Sequence, residues 1–225
     1  MAALTVVFDL DGTLVDTAPD LIGSLNAALV RGGLSPIAYA EARNMIGGGA
    51  RRMIESALKF EGRDLSDGVD DRVFDEFIEH YAAHIADRSQ SFPGLEQALD
   101  RLAADGCQLA VCTNKLEGLS RLLLDALGLT PRFAAICGQD TFQIQKPDPE
   151  ILRRTISAAG GELSQAVMVG DSGTDIATAR AAGVPVVAVD FGYSDTPIKE
   201  LRPDRVISHF DDLAAAVLAV TRRIL

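Results

Sequence analysis

The feature that most constrains this sequence is a short apolar run followed at once by two aspartates. Residues 4–8 are apolar and β-branched enough to predict a buried strand. Asp9 and Asp11 follow the strand, and Gly12 comes next. An unpaired charge at the end of a buried strand is costly unless a cation lies beside it, and open α/β sheets bind ligands at the carboxyl ends of their strands. The run therefore predicts an acidic site at a sheet edge, although Asp, Gly and Thr are also ordinary turn residues.

Beyond residue 91 the sequence alternates between helical patterns and short apolar runs. The predicted strands are residues 108–112, 133–137, 166–169, 184–189 and 205–207. The predicted helices are residues 95–104, 116–127, 149–159, 176–182 and 213–224. Such alternation is typical of parallel strands joined by helical crossovers. It predicts an α/β fold with a doubly wound parallel sheet.

Between these two parts, the sequence shows helical spacing only. The predicted helices are residues 19–31, 40–45, 51–60 and 69–86. Because the first strand needs neighbours and the next strands begin after residue 107, this segment is predicted to be an inserted all-helical cap. The predicted division is a core of residues 1–16 and 91–225 and a cap of residues 17–90, joined by linkers at 15–19 and 89–94.

Composition excludes several classes of partner. The chain has 225 residues, 48% hydrophobic content, a formal net charge of -11 and a pI of about 4.7, so nucleic acid and anionic membrane surfaces would repel it. The sequence lacks an 18-residue apolar run and a basic signal-peptide start, from which we expect a cytoplasmic protein. Cys107, Cys112 and Cys137 show no CxxC spacing and are expected to be reduced. His80 and His84 are interpreted as residues on a helix face.

Further polar residues follow or lie between the predicted strands. Thr113 and Asn114 end the second strand, Asp171 and Asp175 lie in a glycine-bearing loop, and Lys146 precedes a loop that opens a helix. Each has an ordinary alternative interpretation, as a helix cap, a turn former or a surface lysine. Taken together at one sheet edge, they indicate a site.

These residue types fit phosphoryl transfer. A carboxylate that attacks phosphorus must overcome anion repulsion, and Mg²⁺ on hard oxygen ligands such as Asp9 and Asp171, with a carbonyl near Asp11, lets both share one site. Lys146 adds a fixed positive charge. Asp9 is the candidate nucleophile that becomes an aspartyl phosphate, and Asp11 the candidate acid and base. Thr113 and its neighbouring amide could hydrogen-bond phosphate oxygens.

Four segments of the sequence resemble the ordered motifs of the haloacid dehalogenase superfamily of phosphatases. They are DLDGTL at residues 9–14, TNK at 113–115, KP at 146–147 and GDSGTD at 170–175. The resemblance spans the whole chain. It implies a Rossmann-like core with a helical cap inserted after the first motif.

The resemblance also implies roles for individual residues. Asp9 would be the nucleophile and Asp11 the acid and base, with Lys146 as a third catalytic residue. Mg²⁺ would be held by Asp9, by the carbonyl of Asp11 and by Asp171, with Asp175 supporting the site. Thr113, Asn114 and Lys146 would bind the substrate phosphate. Lys115, in the same motif as Thr113, would also bind the substrate.

Within the superfamily, Asp11 excludes the dehalogenase branch, because a leaving halide needs no proton. The motifs and the cap position are most similar to those of bacterial phosphoglycolate phosphatases, which implies 2-phosphoglycolate as the small phosphorylated substrate. A pyrophosphatase, a hexose phosphate phosphatase and a β-phosphoglucomutase-type mutase stay open as alternatives. A signalling receiver module is disfavoured by the order of the motifs, and the sequence leaves monomer and homodimer open.

The cap is expected to select the substrate, because the core contacts only the phosphate. Its candidate segment is residues 46–52, in which Gly48 lies within a run of glycines and permits close backbone approach. Arg51 or Arg52 could pair with a substrate carboxylate. The alternative is a flexible loop with solvated arginines.

Overall fold

The computed structural model describes residues 3–63 and 71–221 of the chain. The strands are β1 Thr5–Phe8, β2 Val15–Asp16, β3 Gln90–Ser91, β4 Gln108–Cys112, β5 Ala135–Cys137, β6 Ala166–Gly170, β7 Val186–Val189 and β8 Arg205–Ile207. The helices are α1 Ala18–Arg31, α2 Tyr39–Arg43, α3 Ala50–Phe60, α4 Asp71–Ala83, α5 Leu95–Ala104, α6 Glu117–Ala126, α7 Pro149–Ala158, α8 Gly173–Ala182 and α9 Leu213–Thr221. Within these ranges, no helix combines the length and the apolar character that a membrane span requires.

Six strands form one parallel sheet in the order β5-β4-β1-β6-β7-β8. Counted along the chain without the two short strands β2 and β3, this is the order 3-2-1-4-5-6 of a Rossmann-type sheet. The predicted doubly wound α/β fold is therefore confirmed. The order reverses between β1 and β6, and open α/β sheets bind ligands at this reversal.

Both faces of the sheet are buried, as alternate side chains of β1 show. Val6 and Phe8 point into one apolar layer, and Val7 points into the other. On the face of Val7 the layer is completed by α7 and α8, and on the opposite face by α5, α6 and α9. This burial explains why the strands are continuous apolar runs rather than alternating ones.

Local capping signals set where α7 and α8 begin. Asp148 accepts a hydrogen bond from the backbone N–H of Glu150, with Pro149 at the first helical position. Ser172 and Asp175 form a reciprocal capping box at the start of α8. This box starts α8 at Gly173, three residues before the predicted start at 176. The apolar periodicity did not show the first turn because Gly173, Thr174 and Asp175 have no large apolar side chain.

Two short strands were missed by the sequence analysis, which predicted linkers at 15–19 and 89–94 and no strand between 17 and 90. In the structure, Val15 pairs with Ser91 and Asp16 with Gln90 in an antiparallel two-stranded ribbon. Strands of two residues are too short to show alternation. The ribbon places the two connections to the helical segment side by side.

The described residues of the segment between β2 and β3 form the four helices α1 to α4 and their connections, without a strand. Helix α1 packs along α4, and α3 packs on α4, around buried side chains that include Leu25, Ile54 and Phe77. Helix α4 ends at Ala83 rather than at the predicted residue 86, and residues 69–70 of that predicted helix lie outside the described residues. The same holds for residues 222–224 of the predicted last helix. The cap boundaries at 17 and 90 stay a prediction.

The two ends of the helical segment are joined by Asp20. Its buried carboxylate accepts hydrogen bonds from the backbone N–H groups of Arg88 and Ser89 and from the Ser89 hydroxyl, at 2.9, 2.7 and 2.7 Å. Burial alone would raise the pKa of Asp20, but these hydrogen bonds outweigh it and hold the pKa below its usual value. The carboxylate therefore stabilises the fold in its charged form.

We expect Asp20→Asn to lower the free energy of unfolding by about 2 kcal/mol at pH 7, because several hydrogen bonds to a charged acceptor are lost. Since the folded pKa lies below the unfolded value of about 3.9, the contribution is complete above that pH and disappears as the pH falls through the folded pKa. Urea unfolding between pH 7 and pH 3 should show a constant difference from the wild type that shrinks below about pH 4. Asp125→Asn, at an exposed position of α6, is the control.

Candidate active site

Four loops place polar side chains at the carboxyl edge of the sheet. Asp9 follows β1, Thr113 follows β4, Asp171 follows β6, and Lys146 lies in the loop before α7. All four side chains are buried, with Lys146 only 1% exposed. Because β1, β4 and β6 are adjacent and parallel, their carboxyl ends meet at the point where the strand order reverses.

Three carboxylates converge at this edge. One oxygen from each of Asp9, Asp171 and Asp175 lies within 4.8 Å of the other two, and all three side chains are buried. Burial raises the pKa of Asp9 to about 6, an effect that Lys146 opposes and Asp175 reinforces. Burial, Asp175 and Asp9 raise the pKa of Asp171 to about 8. Gathering these charges is costly unless positive charge accompanies them.

Lys146 supplies part of that positive charge. Its Nζ lies 2.6 Å from Asp175 Oδ1 and 2.8 Å from Asp9 Oδ1. Burial lowers the pKa of Lys146, but the two carboxylates more than offset this and raise it above its usual value. The contact with Asp9 is an ion pair without hydrogen-bond geometry, so Asp9 Oδ1 is buried and accepts no hydrogen bond from the described residues.

The cluster fits a divalent cation. Three carboxylates converge, but the Lys146 ammonium group pairs with only two of them, and the buried Oδ1 of Asp9 makes no hydrogen bond to a described residue. Carboxylate oxygens are the ligands that Mg²⁺ prefers. Asp9 and Asp171 are the residues that could hold such an ion, with the Asp11 carbonyl as the predicted third ligand.

Asp171 is fixed by two donors. The Thr13 hydroxyl donates to Oδ1 at 2.9 Å, and the backbone N–H of Tyr193 donates to Oδ2 at 2.7 Å. Gly12 and Gly192 lie so close that an added Cβ would meet the Asp171 side chain at 2.5 and 2.2 Å. The sequence analysis missed Thr13, although it lies inside the first motif, and nothing in the sequence indicated Tyr193 or Gly192.

Both oxygens of Asp175 already have partners. Oδ2 accepts from the backbone N–H and the hydroxyl of Ser172, at 3.1 and 2.6 Å, and Oδ1 accepts from Lys146. Asp175 therefore ties the lysine to the start of α8. This arrangement fits the predicted supporting position better than that of a direct metal ligand.

Asp11 lies beside the cluster with partners of its own. Lys115 Nζ donates to both carboxylate oxygens at 2.8 and 2.9 Å, and the Thr17 hydroxyl donates to Oδ1 at 2.7 Å. The Lys115 ammonium group also lies 4.6 Å from the ring centre of Tyr81. Lys115, predicted to bind substrate, is thus paired with the predicted acid and base in this structure.

Thr113 and Asn114, the other two residues of the TNK motif, differ in whether they have a hydrogen-bonding group free for a ligand. Thr113 Oγ1 accepts from the backbone N–H of Lys115 at 3.2 Å, and its proton has no acceptor among the described residues. The Asn114 amide accepts from Lys146 N at 2.8 Å and donates to Lys146 O and Gly47 O. Thr113 is therefore free to donate to a ligand, whereas Asn114 holds the loop that carries Lys146.

A cavity of about 30 Å³ opens beside these residues, which is room for about two water molecules. The sheet side of the cavity includes Asp9, Asp11, Thr113 and Lys115. The helical segment supplies the opposite wall, formed by Leu21, Ile46, Gly47, Gly49, Ala50, Met53, Phe77 and Tyr81. Ile46, Gly47, Gly49 and Ala50 belong to the segment 46–52 that the sequence offered as the substrate-selecting part of the cap. Leu21, Met53, Phe77 and Tyr81 lie at helical spacing, which predicts a buried face but cannot distinguish a face on the core from a face on a cavity.

Three residues predicted to contact the substrate do not line this cavity. Gly48 lies between two lining glycines, and the Arg52 side chain lies beside it. Arg51 pairs with Asp71 at 3.2 Å and lies 4.5 Å from the ring centre of Phe74. Both arginines are exposed. Their part in carboxylate recognition stays a prediction.

The family follows from comparison with known proteins. Residues 6–189 match the model of the haloacid dehalogenase-like hydrolases, which covers most of the chain, the sheet edge and its four loops. The chain therefore belongs to the haloacid dehalogenase-like hydrolase family. The resemblance seen in the four sequence motifs is confirmed.

Two relatives of known sequence and one solved structure make the similarity more specific than the family. The chain is 51% identical to a phosphoglycolate phosphatase of Mesorhizobium japonicum, over 95% of this chain and 94% of the relative. It is 46% identical to a phosphoglycolate phosphatase of Agrobacterium fabrum, over 94% and 91%. A crystal structure named a predicted phosphoglycolate phosphatase, from Haemophilus somnus, superposes with a TM-score of 0.86 at 30% identity, covering 95% of this chain and 97% of that one.

The close approach of Gly192 to Asp171 can be tested directly. Gly192→Ala would force Asp171 to move, and we expect affinity for a divalent cation and hydrolase activity to fall by about tenfold to a hundredfold. Activity against metal concentration measures both. Gly118→Ala, on an exposed helix position with no neighbour within 4 Å, is the control and should leave both unchanged. Equal behaviour of the two variants would contradict the role of this contact.

Proposed function

We propose that this protein is a Mg²⁺-dependent phosphomonoesterase that hydrolyses a small phosphorylated acid, 2-phosphoglycolate, through an aspartyl phosphate on Asp9. The observation that carries the proposal is the buried Asp9 Oδ1, without a hydrogen bond, at the meeting point of Asp171, Lys146 and the cavity. The names of the relatives support the substrate.

The proposed reaction has two steps. An oxygen of Asp9 attacks phosphorus, the ester P–O bond breaks, and the leaving alkoxide takes a proton from Asp11, which enters this step protonated and released from Lys115. Water then attacks the phosphorus of the aspartyl phosphate and gives a proton to Asp11 while the bond to Asp9 breaks. Inorganic phosphate leaves, and both aspartates return to their first state.

Other residues orient the phosphate and balance its charge. Lys146 lies against Asp9 and lowers the repulsion between the nucleophile and the phosphate. The unused proton of the Thr113 hydroxyl is available for a phosphate oxygen, and Asn114 holds the Lys146 loop in place. Mg²⁺ held by Asp9 and Asp171 would neutralise charge on the phosphate oxygens.

The cavity favours a short substrate. Its free volume is about 30 Å³, so a two-carbon acid requires less widening than a hexose phosphate. The wall supplied by the helical segment is mostly apolar or glycine, and it would leave the many hydroxyl groups of a sugar without partners. Both features favour a small acid over the sugar substrates of a mutase or a hexose phosphatase.

Release of inorganic phosphate from a panel of esters tests the substrate. With Mg²⁺ present, we expect kcat/KM for 2-phosphoglycolate to exceed that for glucose 1-phosphate, glucose 6-phosphate and pyrophosphate, and excess chelator to abolish the reaction reversibly. Conversion of the sugar 1-phosphate to the 6-phosphate without phosphate release would indicate a mutase instead. Preference for pyrophosphate, or turnover in excess chelator, would contradict the proposal.

Asp9→Asn tests the nucleophile. The variant keeps the shape of the side chain but loses the attacking carboxylate, so we expect kcat to fall by several orders of magnitude while the thermal unfolding temperature is unchanged or higher. Asp125→Asn serves again as the exposed control. Residual kcat within about tenfold of the wild type would remove Asp9 from the nucleophilic role.

A further inference from the structure

The hydroxyl group of Tyr81 is buried without a partner. Tyr81 lies on α4, its side chain has no exposed surface, and its hydroxyl makes no hydrogen bond to any described residue. A buried hydroxyl without a partner loses its hydrogen bonds to water and gains none in exchange, so folded proteins seldom retain one without a reason. Tyr81 also lines the cavity beside Asp11 and Lys115.

Tyr81 differs chemically from the other residues that the helical segment contributes to the cavity. The other residues that the helical segment contributes to the cavity are Leu21, Ile46, Gly47, Gly49, Ala50, Met53 and Phe77. None of these has a polar side-chain atom. Among the described residues that the helical segment contributes to the cavity, Tyr81 is therefore the one whose side chain carries a hydrogen-bond donor.

The surroundings keep this hydroxyl a neutral donor close to positive charge. Burial, reinforced by Asp11, raises the pKa of Tyr81 well above its usual value, so its proton is retained. Lys115 Nζ lies 4.6 Å from the ring centre. Lys115 also donates hydrogen bonds to both oxygens of Asp11, so it lies between the Tyr81 ring and the proposed acid and base.

We infer that Tyr81 determines substrate specificity by donating a hydrogen bond to the carboxylate of the substrate, at the end opposite the phosphate. The inference rests on the proposed function, since it assumes a short phosphorylated acid bound between Asp9 and the helical wall. One donor in an apolar wall suits a substrate with a single short polar end. It also gives a reason for the cost of leaving the hydroxyl unpaired in the free protein.

Tyr81→Phe separates this role from a structural one. The ring packs in a stack with Phe77, at 6.0 Å between centres, and beside the Lys115 ammonium group, and phenylalanine keeps both contacts. Since only an unpaired hydroxyl is removed, we expect the variant to unfold at the same temperature as the wild type or higher. Tyr39→Phe, at a half-exposed position of α2, is the matched control.

Two substrates of equal length complete the experiment. Ethyl phosphate has the two-carbon chain of 2-phosphoglycolate but a methyl group in place of the carboxylate. For Tyr81→Phe, kcat/KM for 2-phosphoglycolate should fall between about tenfold and a hundredfold, chiefly through KM, while kcat/KM for ethyl phosphate should not change. Tyr39→Phe should leave both values unchanged.

Each other outcome overturns one of the two ideas. If the wild type does not hydrolyse 2-phosphoglycolate in preference to ethyl phosphate, the proposed function fails and the inference falls with it. If the wild type prefers 2-phosphoglycolate but Tyr81→Phe affects both esters equally or neither, only the inference fails. A crystal structure of Asp9→Asn with 2-phosphoglycolate gives a second test, because a carboxylate farther than 3.5 Å from Tyr81 Oη would also overturn it.

Discussion

The structure depends on balancing buried negative charge at one edge of the sheet. The strand order brings the carboxyl ends of β1 and β6 side by side, and there Asp9, Asp171 and Asp175 converge. The Lys146 ammonium group pairs with Asp9 and Asp175. Neutral donors fix Asp171 and one oxygen of Asp175 without neutralising either carboxylate. What the cluster lacks is positive charge, which a divalent cation would supply.

The sheet edge and the helical segment contribute different kinds of side chain to the cavity. The sheet edge contributes nearly all of the polar side chains that line the cavity. The helical segment contributes apolar side chains, glycines and Tyr81. Tyr193 connects them, because its backbone N–H bonds Asp171 while its hydroxyl accepts from the N–H groups of Thr17 and Ala18 at the start of α1. The position of that helix is therefore linked mechanically to the acidic cluster.

Sequence patterns predicted the sheet and the polar edge because both depend on local signals. The bounds of α5 and β4 are those predicted. Apolar residues at helical spacing mark α5, and a short continuous apolar run marks β4. The β2–β3 ribbon was missed because its strands have two residues each. The partners of Lys115 and Asn114, and the places of Tyr81 and Tyr193, depend on contacts between distant segments, which spacing along the chain does not encode.

The β2–β3 ribbon has a mechanical consequence. Two separate single-stranded connections would let the helical segment twist and slide over the sheet in any direction. Paired strands resist shear and rotation about their long axis, because either motion would break the hydrogen bonds between Val15–Asp16 and Gln90–Ser91. Bending out of the plane of the ribbon breaks neither pair, so it is the direction in which the two connections constrain the helical segment least.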